Sequence, residues 1–405
     1  MHPSEIHISD YTYNLPAERI AQYPLAERDA SRLLVYDQDI KEDVFKNIST
    51  YLPQKSLLVF NNTKVVQARL FFTTAAGAKV EVFCLEPADE LRDMASAMSR
   101  MKTVRWKCLV GRASKWKEKV LKLQHKDFEL AVELVGRDAD NFIVEFNWQP
   151  EQLSFAEILD KAGVMPIPPY LHRQSEALDL TRYQTVYARY EGSVAAPTAG
   201  LHFTPLVLET LKNKQISTAE LSLHVGAGTF KPVKSETLKE HDMHFEMIDV
   251  PLVVIEKLHA QLEAALPVIA VGTTSLRTLE SLYWMGIKAA AQQALPPEEM
   301  VIRQWDPYEE RETITAAAAL KQLLQWMELH GLERLNTKTQ ILISPPYRLK
   351  VTQALITNFH QPNSTLLLLV AAVVGAPWRT IYSYALEHNF RFLSYGDSSL
   401  LFAKP

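Results

Sequence analysis

Val268-Ile-Ala-Val-Gly-Thr-Thr-Ser-Leu-Arg-Thr278 decides the fold. Four apolar residues in a row have the texture of a fully buried strand, Gly272-Thr273-Thr274 turns the chain, and residues 275–285 continue as a helix. Strand, tight turn and helix in succession is the building unit of α/β folds. The turn also presents the unpaired N–H groups of the helix start to an anion, and glycine there lets a ligand approach the backbone. Leu33-Leu-Val-Tyr and Leu57-Leu-Val-Phe read as further buried strands. In Val194-Ala-Ala-Pro-Thr-Ala-Gly-Leu-His-Phe-Thr-Pro205 a loop of small residues carries His202 and runs into a helix, with Thr204 as its cap and Pro205 at its first position. Asn363 or Ser364 can cap a helix over 366–374, residues 16–22 read as a helix opened by proline, and residues 313–333 as an amphipathic helix. Three prolines keep 163–170 extended.

Between these segments the texture changes. Residues 65–71, 79–85, 104–110, 129–135 and 142–146 read as strands, 136–141 as a hairpin connection, and only 91–101 as helix. The expectation is a mixed α/β large domain formed by 1–63 and 149–405, with a small all-β, barrel-like domain inserted at 64–148.

At 405 residues the chain can bury a substantial core. Its two cysteines, Cys84 and Cys108, have neither disulfide-framework nor zinc spacing, so buried thiols in a reducing cytosol are expected. Met1-His-Pro-Ser-Glu lacks the apolar core of a signal peptide, and the longest apolar run, 366–375, is short of the ~20 residues that span a bilayer. A cytoplasmic protein without membrane contact is expected. The net charge of −4 does not mark a nucleic-acid binder, yet residues 100–126 are crowded with cations, among them Arg112, Lys115, Lys117 and Lys119. Trp106 and Trp116 lie among them, a mixture suited to phosphate contact and base stacking. The alternative is a solvated strand face whose lysines protect a sheet edge.

Further blocks share the small-residue, histidine-bearing character of 194–205. They are Leu223-His-Val-Gly-Ala-Gly-Thr-Phe-Lys-Pro232 with Glu240-His-Asp-Met-His-Phe-Glu246, and a block that runs from Ala354-Leu-Ile-Thr-Asn-Phe-His-Gln-Pro362 to the histidine-free Arg391-Phe-Leu-Ser-Tyr-Gly-Asp397. Together with Leu58-Val-Phe-Asn-Asn-Thr-Lys-Val65 and Arg182-Tyr-Gln-Thr-Val-Tyr187, in this order, they resemble the S-adenosylmethionine:tRNA ribosyltransferase-isomerases of queuosine biosynthesis, from about Tyr13 to about Leu401. The chain departs from that pattern at Asn62, Lys64 and Ser344-Pro-Pro-Tyr347, and is longer over 286–339.

The resemblance implies a reaction. The ribosyl part of S-adenosylmethionine, the co-substrate, moves onto the aminomethyl group of a 7-deazaguanine at the wobble position of a tRNA anticodon. It rearranges to an epoxycyclopentanediol, giving epoxyqueuosine-tRNA, while adenine and methionine leave. A base must take a C5′ proton made acidic by the sulfonium, a donor must meet the departing adenine, and the ribosyl oxygens must be restrained. No step calls for a metal. Histidine is the natural proton carrier near neutrality, so His202, His224, His244 and His360 are candidates, with His202 and His224 leading because they adjoin glycine-rich turns. Asp397 is the candidate for the ribosyl hydroxyls. Gly200, Gly226, Gly228, Thr229, Gly272, Thr273 and Thr274 are candidates to cradle S-adenosylmethionine, and Arg277 to clamp its carboxylate bidentately. A monomer bound to tRNA through an unstacked loop base is expected. Two other classes stay open: a tRNA-binding protein without catalysis, and an acyl hydrolase using Ser222 or Ser275, although the G-x-S-x-G elbow is absent. His241 and His244, three apart, also permit a metal reading, against which stands the lack of a third ligand.

Overall fold

The computed structural model describes residues 2–404 except 89–93, 139–140, 227–232, 234 and 313. Val268–Val271 lies at the centre of a nine-stranded sheet. Its residues alternate between two cores: Val268 and Ala270 enter the larger, Ile269 and Val271 the smaller. The neighbouring strand Leu57–Asn61 does the same, Leu57 and Val59 on one side and Leu58 and Phe60 on the other. A sheet covered on both faces needs apolar residues at every position, which is why these strands read as continuous runs.

From edge to edge the order is Arg334–Thr339, Glu246–Pro251, Ser217–His224, Leu57–Asn61, Val268–Val271, Ala354–Asn358, Ser398–Phe402, Arg32–Asp37 and Asp39–Val44. The four strands from Ser217–His224 to Ala354–Asn358 are parallel, and antiparallel pairings flank them. Helix Thr273–Ala291 covers the large-core face and Pro205–Asn213 the other. Thr204 and Ser364 cap their helices as the sequence predicts, each accepting an N–H three residues on.

A second sheet of six antiparallel strands runs Arg69–Thr73, Lys79–Pro87, Thr103–Gly111, Asn141–Gln149, Glu129–Asp138 and Val120–Gln124. Its first and last strands come back into contact, so it is a nearly closed barrel with its own apolar core. Cys84 and Cys108, far apart in sequence, are directly opposed in this sheet and buried. The fold class is the expected mixed α/β with a barrel-like sheet.

Several local expectations change. The predicted strand 65–71 is two pieces: Thr63–Val65 pairs in parallel with Tyr190–Ser193, and Arg69–Thr73 begins the barrel. Residues 16–22 hold only a single turn, Ala17–Arg19, because Ile20 bridges Phe392 and the Ala21 N–H donates to the Phe392 carbonyl. Of the helix expected over 91–101, Met94–Met98 is helical among the described residues; positions 91–93 of that expectation and 139–140 of the expected hairpin lie outside the described residues. The longer segment 286–339 supplies helix Ala316–Leu329 and the edge strand Arg334–Thr339. Gly286 makes that possible, since a Cβ there would sit 2.2 Å from the Ala319 carbonyl oxygen.

Candidate active site

Three parallel strands end at one place. Val271 gives way to Gly272, Asn358 closes Ala354–Asn358, and Val225 follows Ser217–His224. Outside these carboxyl ends lies a cleft of about 780 Å³, partly open to solvent, where open α/β sheets characteristically bind ligands. Residues 195–199 form a wall of small side chains, 272–274 a second and 357–361 a third, with Tyr170 and Ser394 beside them. Residues from 194–205, 223–232, 268–278, 354–362 and 391–397 thus meet around one volume.

Gly272 adopts φ +88°, a conformation that side chains disfavour, and its N–H donates to the Ile356 carbonyl at 2.8 Å. This turn aims the start of helix Thr273–Ala291 at the cleft with no side-chain cap. The buried Thr274 hydroxyl also has no hydrogen-bond partner among the described residues. Free amides and a free hydroxyl at a helix start suit a negatively charged or strongly polar ligand group.

His360 is the histidine that lines the cleft. Its Nε2 shares a hydrogen bond of 2.9 Å with the Thr357 hydroxyl, and no described residue bonds its Nδ1. Burial pushes its pKa down to about 4, so the ring is neutral at physiological pH. A neutral imidazole with one nitrogen fixed can take or share a proton at the other. The Tyr170 hydroxyl meets the Ser394 hydroxyl at 2.5 Å on the same wall, and burial raises its pKa to about 12.

His202 behaves differently. Asn358 donates its amide N–H groups to the Leu393 and Ser394 carbonyls, which turns its oxygen toward His202. His202 Nε2–H donates to that oxygen at 3.2 Å, and the Ser31 hydroxyl donates to Nδ1 at 2.8 Å. Both ring nitrogens are therefore occupied. Burial, the largest influence, pushes this pKa to about 4 as well. His202 lines a second, smaller cavity behind the wall and holds Asn358 in place.

Other expected residues lie elsewhere. His224 borders the groove between the barrel and the main sheet, with Met94, Tyr190 and Arg334. His244 and Arg277 border a third cavity with His241, and His244 Nε2 is 3.5 Å from Glu246. Arg277 cannot act as a free bidentate fork, because its Nη1 pairs with buried Glu246 and its Nε donates to the Ile341 carbonyl. Asp397 does not face the cleft. Its buried carboxylate accepts the Arg32 N–H at 3.1 Å, the Arg391 N–H at 2.8 Å and the Arg391 guanidinium at 3.3 Å, tying Arg32–Asp37 to the preceding loop. Gly200 makes room for Tyr187 rather than for a ligand, as a Cβ would lie 1.9 Å from the tyrosine oxygen. Gly226 has open space beside His244, and Gly228 and Thr229 lie outside the described residues. Asn61 and Asn62 splice strands, the first bonding the Leu223 backbone and the second Ser222 and Glu220. No histidine bonds Ser222 or Ser275 among the described residues.

On the barrel, Trp106 and Trp116 are buried in its core, so they offer no stacking face. Many cations of the basic stretch meet acids across the sheet: Arg105 with Glu145, Lys107 with Glu86 and Asp138, Lys119 with Glu133, and Lys122 with Glu129. Arg112, Lys115 and Lys117 are exposed without ion pairs among the described residues.

The cleft residues that sequence reasoning left unnamed are Tyr170, Thr198, Thr357, Asn358 and Ser394. Their signal was position, since Thr357 and Asn358 end an apolar strand run just before His360.

This architecture defines a mixed α/β protein with a large sheet, a nearly closed barrel-like sheet and a cleft at its strand ends. A family model described as queuosine biosynthesis protein matches residues 8–401, and the chain belongs to that family. It is 37% identical over 399 residues to the S-adenosylmethionine:tRNA ribosyltransferase-isomerase of Thermotoga maritima, spanning 97% of this chain and 99% of that protein. It is 38% identical to the protein so named in Thermotoga petrophila, with the same coverage. The like-named protein of Thermosipho melanesiensis is 37% identical over 98% of this chain and 99% of its own. A crystal structure of S-adenosylmethionine tRNA ribosyltransferase from Thermotoga maritima is also similar, at 29% identity and a TM-score of 0.46, covering 97% of this chain and 99% of that one.

Proposed function

We infer that the protein is a ribosyltransferase-isomerase acting on S-adenosylmethionine and tRNA in queuosine biosynthesis. Beyond the near full-length kinship, the observation that carries this reading is the convergence of residues 195–199, 225, 272–274 and 357–361 on one cleft. In this reading S-adenosylmethionine lies in the cleft, and the helix start at Thr273 and Thr274 receives its carboxylate or ribosyl oxygens. His360 is the proton carrier, exchanging a proton at Nδ1 while Thr357 fixes Nε2. Asn358, held by His202, and the Tyr170–Ser394 pair orient the ribosyl group. His224 and His244 serve the neighbouring cavities.

The acceptor is the aminomethyl group of a 7-deazaguanine in the anticodon loop, reached as an unstacked base. The barrel of 64–148 forms a domain inserted into the 1–63 and 149–405 domain, and Arg112, Lys115, Lys117 and Lys119 contribute long-range attraction for RNA. A tRNA substrate places the reaction in the cytoplasm.

Two labels test the reading. Tritium in the ribose of S-adenosylmethionine should pass to tRNA carrying the aminomethyl base, whereas a methyl label should not. Methyl label in the tRNA, or neither label, would overturn it.

A further inference from the structure

Behind the cleft wall, a small recess partly open to solvent is bordered by Arg28, Arg182 and Arg391, together with His202, Ser31 and Tyr395. Three guanidiniums around so small a volume need compensating charge. Among the described residues the carboxylate paired with any of them is Asp397, which holds Arg391. The recorded partners of Arg28 are the carbonyls of Thr181, Arg182 and Leu201, and those of Arg182 are the carbonyls of Leu25 and Ala26. Carbonyl dipoles orient these groups but leave two full charges without a counter-ion. The buried Nε of Arg182 has no hydrogen-bond partner among the described residues. Burial, and next the charge of Arg182, lower the pKa of Arg28, as expected of like charges brought together.

We propose that Arg28, Arg182 and Arg391 form a seat for a backbone phosphate of the tRNA next to the modified nucleotide. The terminal nitrogens of Arg28 and Arg182 already donate to carbonyls, so a phosphate is drawn here by their uncompensated charge and by the unpartnered Nε of Arg182, and guanidinium is the side chain best suited to phosphate. Its place supports the same occupant. Ser394 borders both this cavity and the cleft, and the His202–Asn358 hydrogen bond crosses the wall between them. A phosphate here is one layer of side chains from the reacting base. This also gives a role to Arg182-Tyr-Gln-Thr-Val-Tyr187, which the cleft leaves unexplained. The proposal rests on the tRNA-acting reading above.

The experiment measures tRNA and S-adenosylmethionine affinity in Arg182→Gln and Arg391→Gln, with circular dichroism confirming the fold. About tenfold weaker tRNA binding is expected, and the slope of log affinity against log salt should fall by ~0.7–0.9 per lost contact, with S-adenosylmethionine affinity unchanged. Unchanged tRNA binding in folded variants would overturn the proposal. So would a selective loss of S-adenosylmethionine affinity, which would make the occupant its carboxylate. Because these arginines also hold loops, the wild-type protein provides a second reading: tRNA should protect Arg28 and Arg182 from phenylglyoxal, and S-adenosylmethionine should not. Ribosyl transfer by the wild type with no protection by tRNA would remove the phosphate seat alone. Protection without transfer would keep the seat and remove the enzymatic reading.

Discussion

His202 and Asn358 are joined by a 3.2 Å hydrogen bond that passes through the wall between two cavities. The bond fixes both partners, because Asn358 is anchored on the Leu393 and Ser394 carbonyls and His202 on Ser31. His202 is thereby a positioning residue. Its replacement by alanine should raise KM for S-adenosylmethionine by about tenfold, with kcat changing much less, since a lost orienting contact acts chiefly on binding. His202→Gln retains a donor for Asn358 and should restore most of the affinity. A kcat loss of ~10²–10⁴ in His202→Ala, unrelieved in His202→Gln, is what a general base would give.

His360 carries the opposite expectation. Removing a proton carrier typically costs ~10²–10⁴ in rate, so His360→Ala should lower kcat by that order with S-adenosylmethionine still bound. Thr357→Val should produce a smaller loss and a displaced pH profile, because it removes only the group that fixes Nε2. Steady-state kinetics on both variants decide the matter. A near-normal kcat in His360→Ala would shift the search to His224 and His244.

Both buried histidines also set a pH dependence of stability. Each has a folded pKa near 4, below the ordinary value of 6.5, so between those limits the unfolded chain binds more protons than the folded one. Stability therefore rises with pH through this window and is lost as pH falls from about 6.5 toward about 4. Thermal melts at intervals across that range should show a falling Tm. The double variant His202→Gln/His360→Gln should show a flatter dependence, and an identical one would refute the assignment.

What was legible in the sequence follows from burial. Leu57–Asn61 and Val268–Val271 were readable because both sheet faces are covered, leaving no polar positions to blur the run. The strand Val120–Gln124 went unread because Lys122 and Gln124 look like part of a solvated basic stretch. The acids that meet those cations lie on other strands, as Glu129 does for Lys122, and local charge counting cannot see them. The sequence marks the histidine-bearing blocks as candidates but not which histidine faces the cleft. That depends on Ser31 and Asn358, distant in sequence, which occupy both nitrogens of His202. Asp397 likewise looked free because its partners are backbone N–H groups of Arg32 and Arg391.

Gly200 yields a prediction about packing alone. A Cβ at this position would lie 1.9 Å from the Tyr187 hydroxyl oxygen and 2.9 Å from Thr185 Cγ2. Overpacking of this kind costs about 1–3 kcal/mol, so Gly200→Ala should lower the denaturation midpoint measured in urea. Adding Tyr187→Phe removes the nearest atom and should restore part of the loss. If Gly200→Ala is as stable as the wild type, the close packing described here is incorrect.

The most direct measurement is chromatography of a quenched mixture of the protein, S-adenosylmethionine and tRNA carrying the aminomethyl-deazaguanine. The account predicts adenine and methionine in step with modified tRNA, and no adenine when that tRNA is omitted or lacks the aminomethyl base. Adenine released without tRNA, or none released with it, would contradict the account.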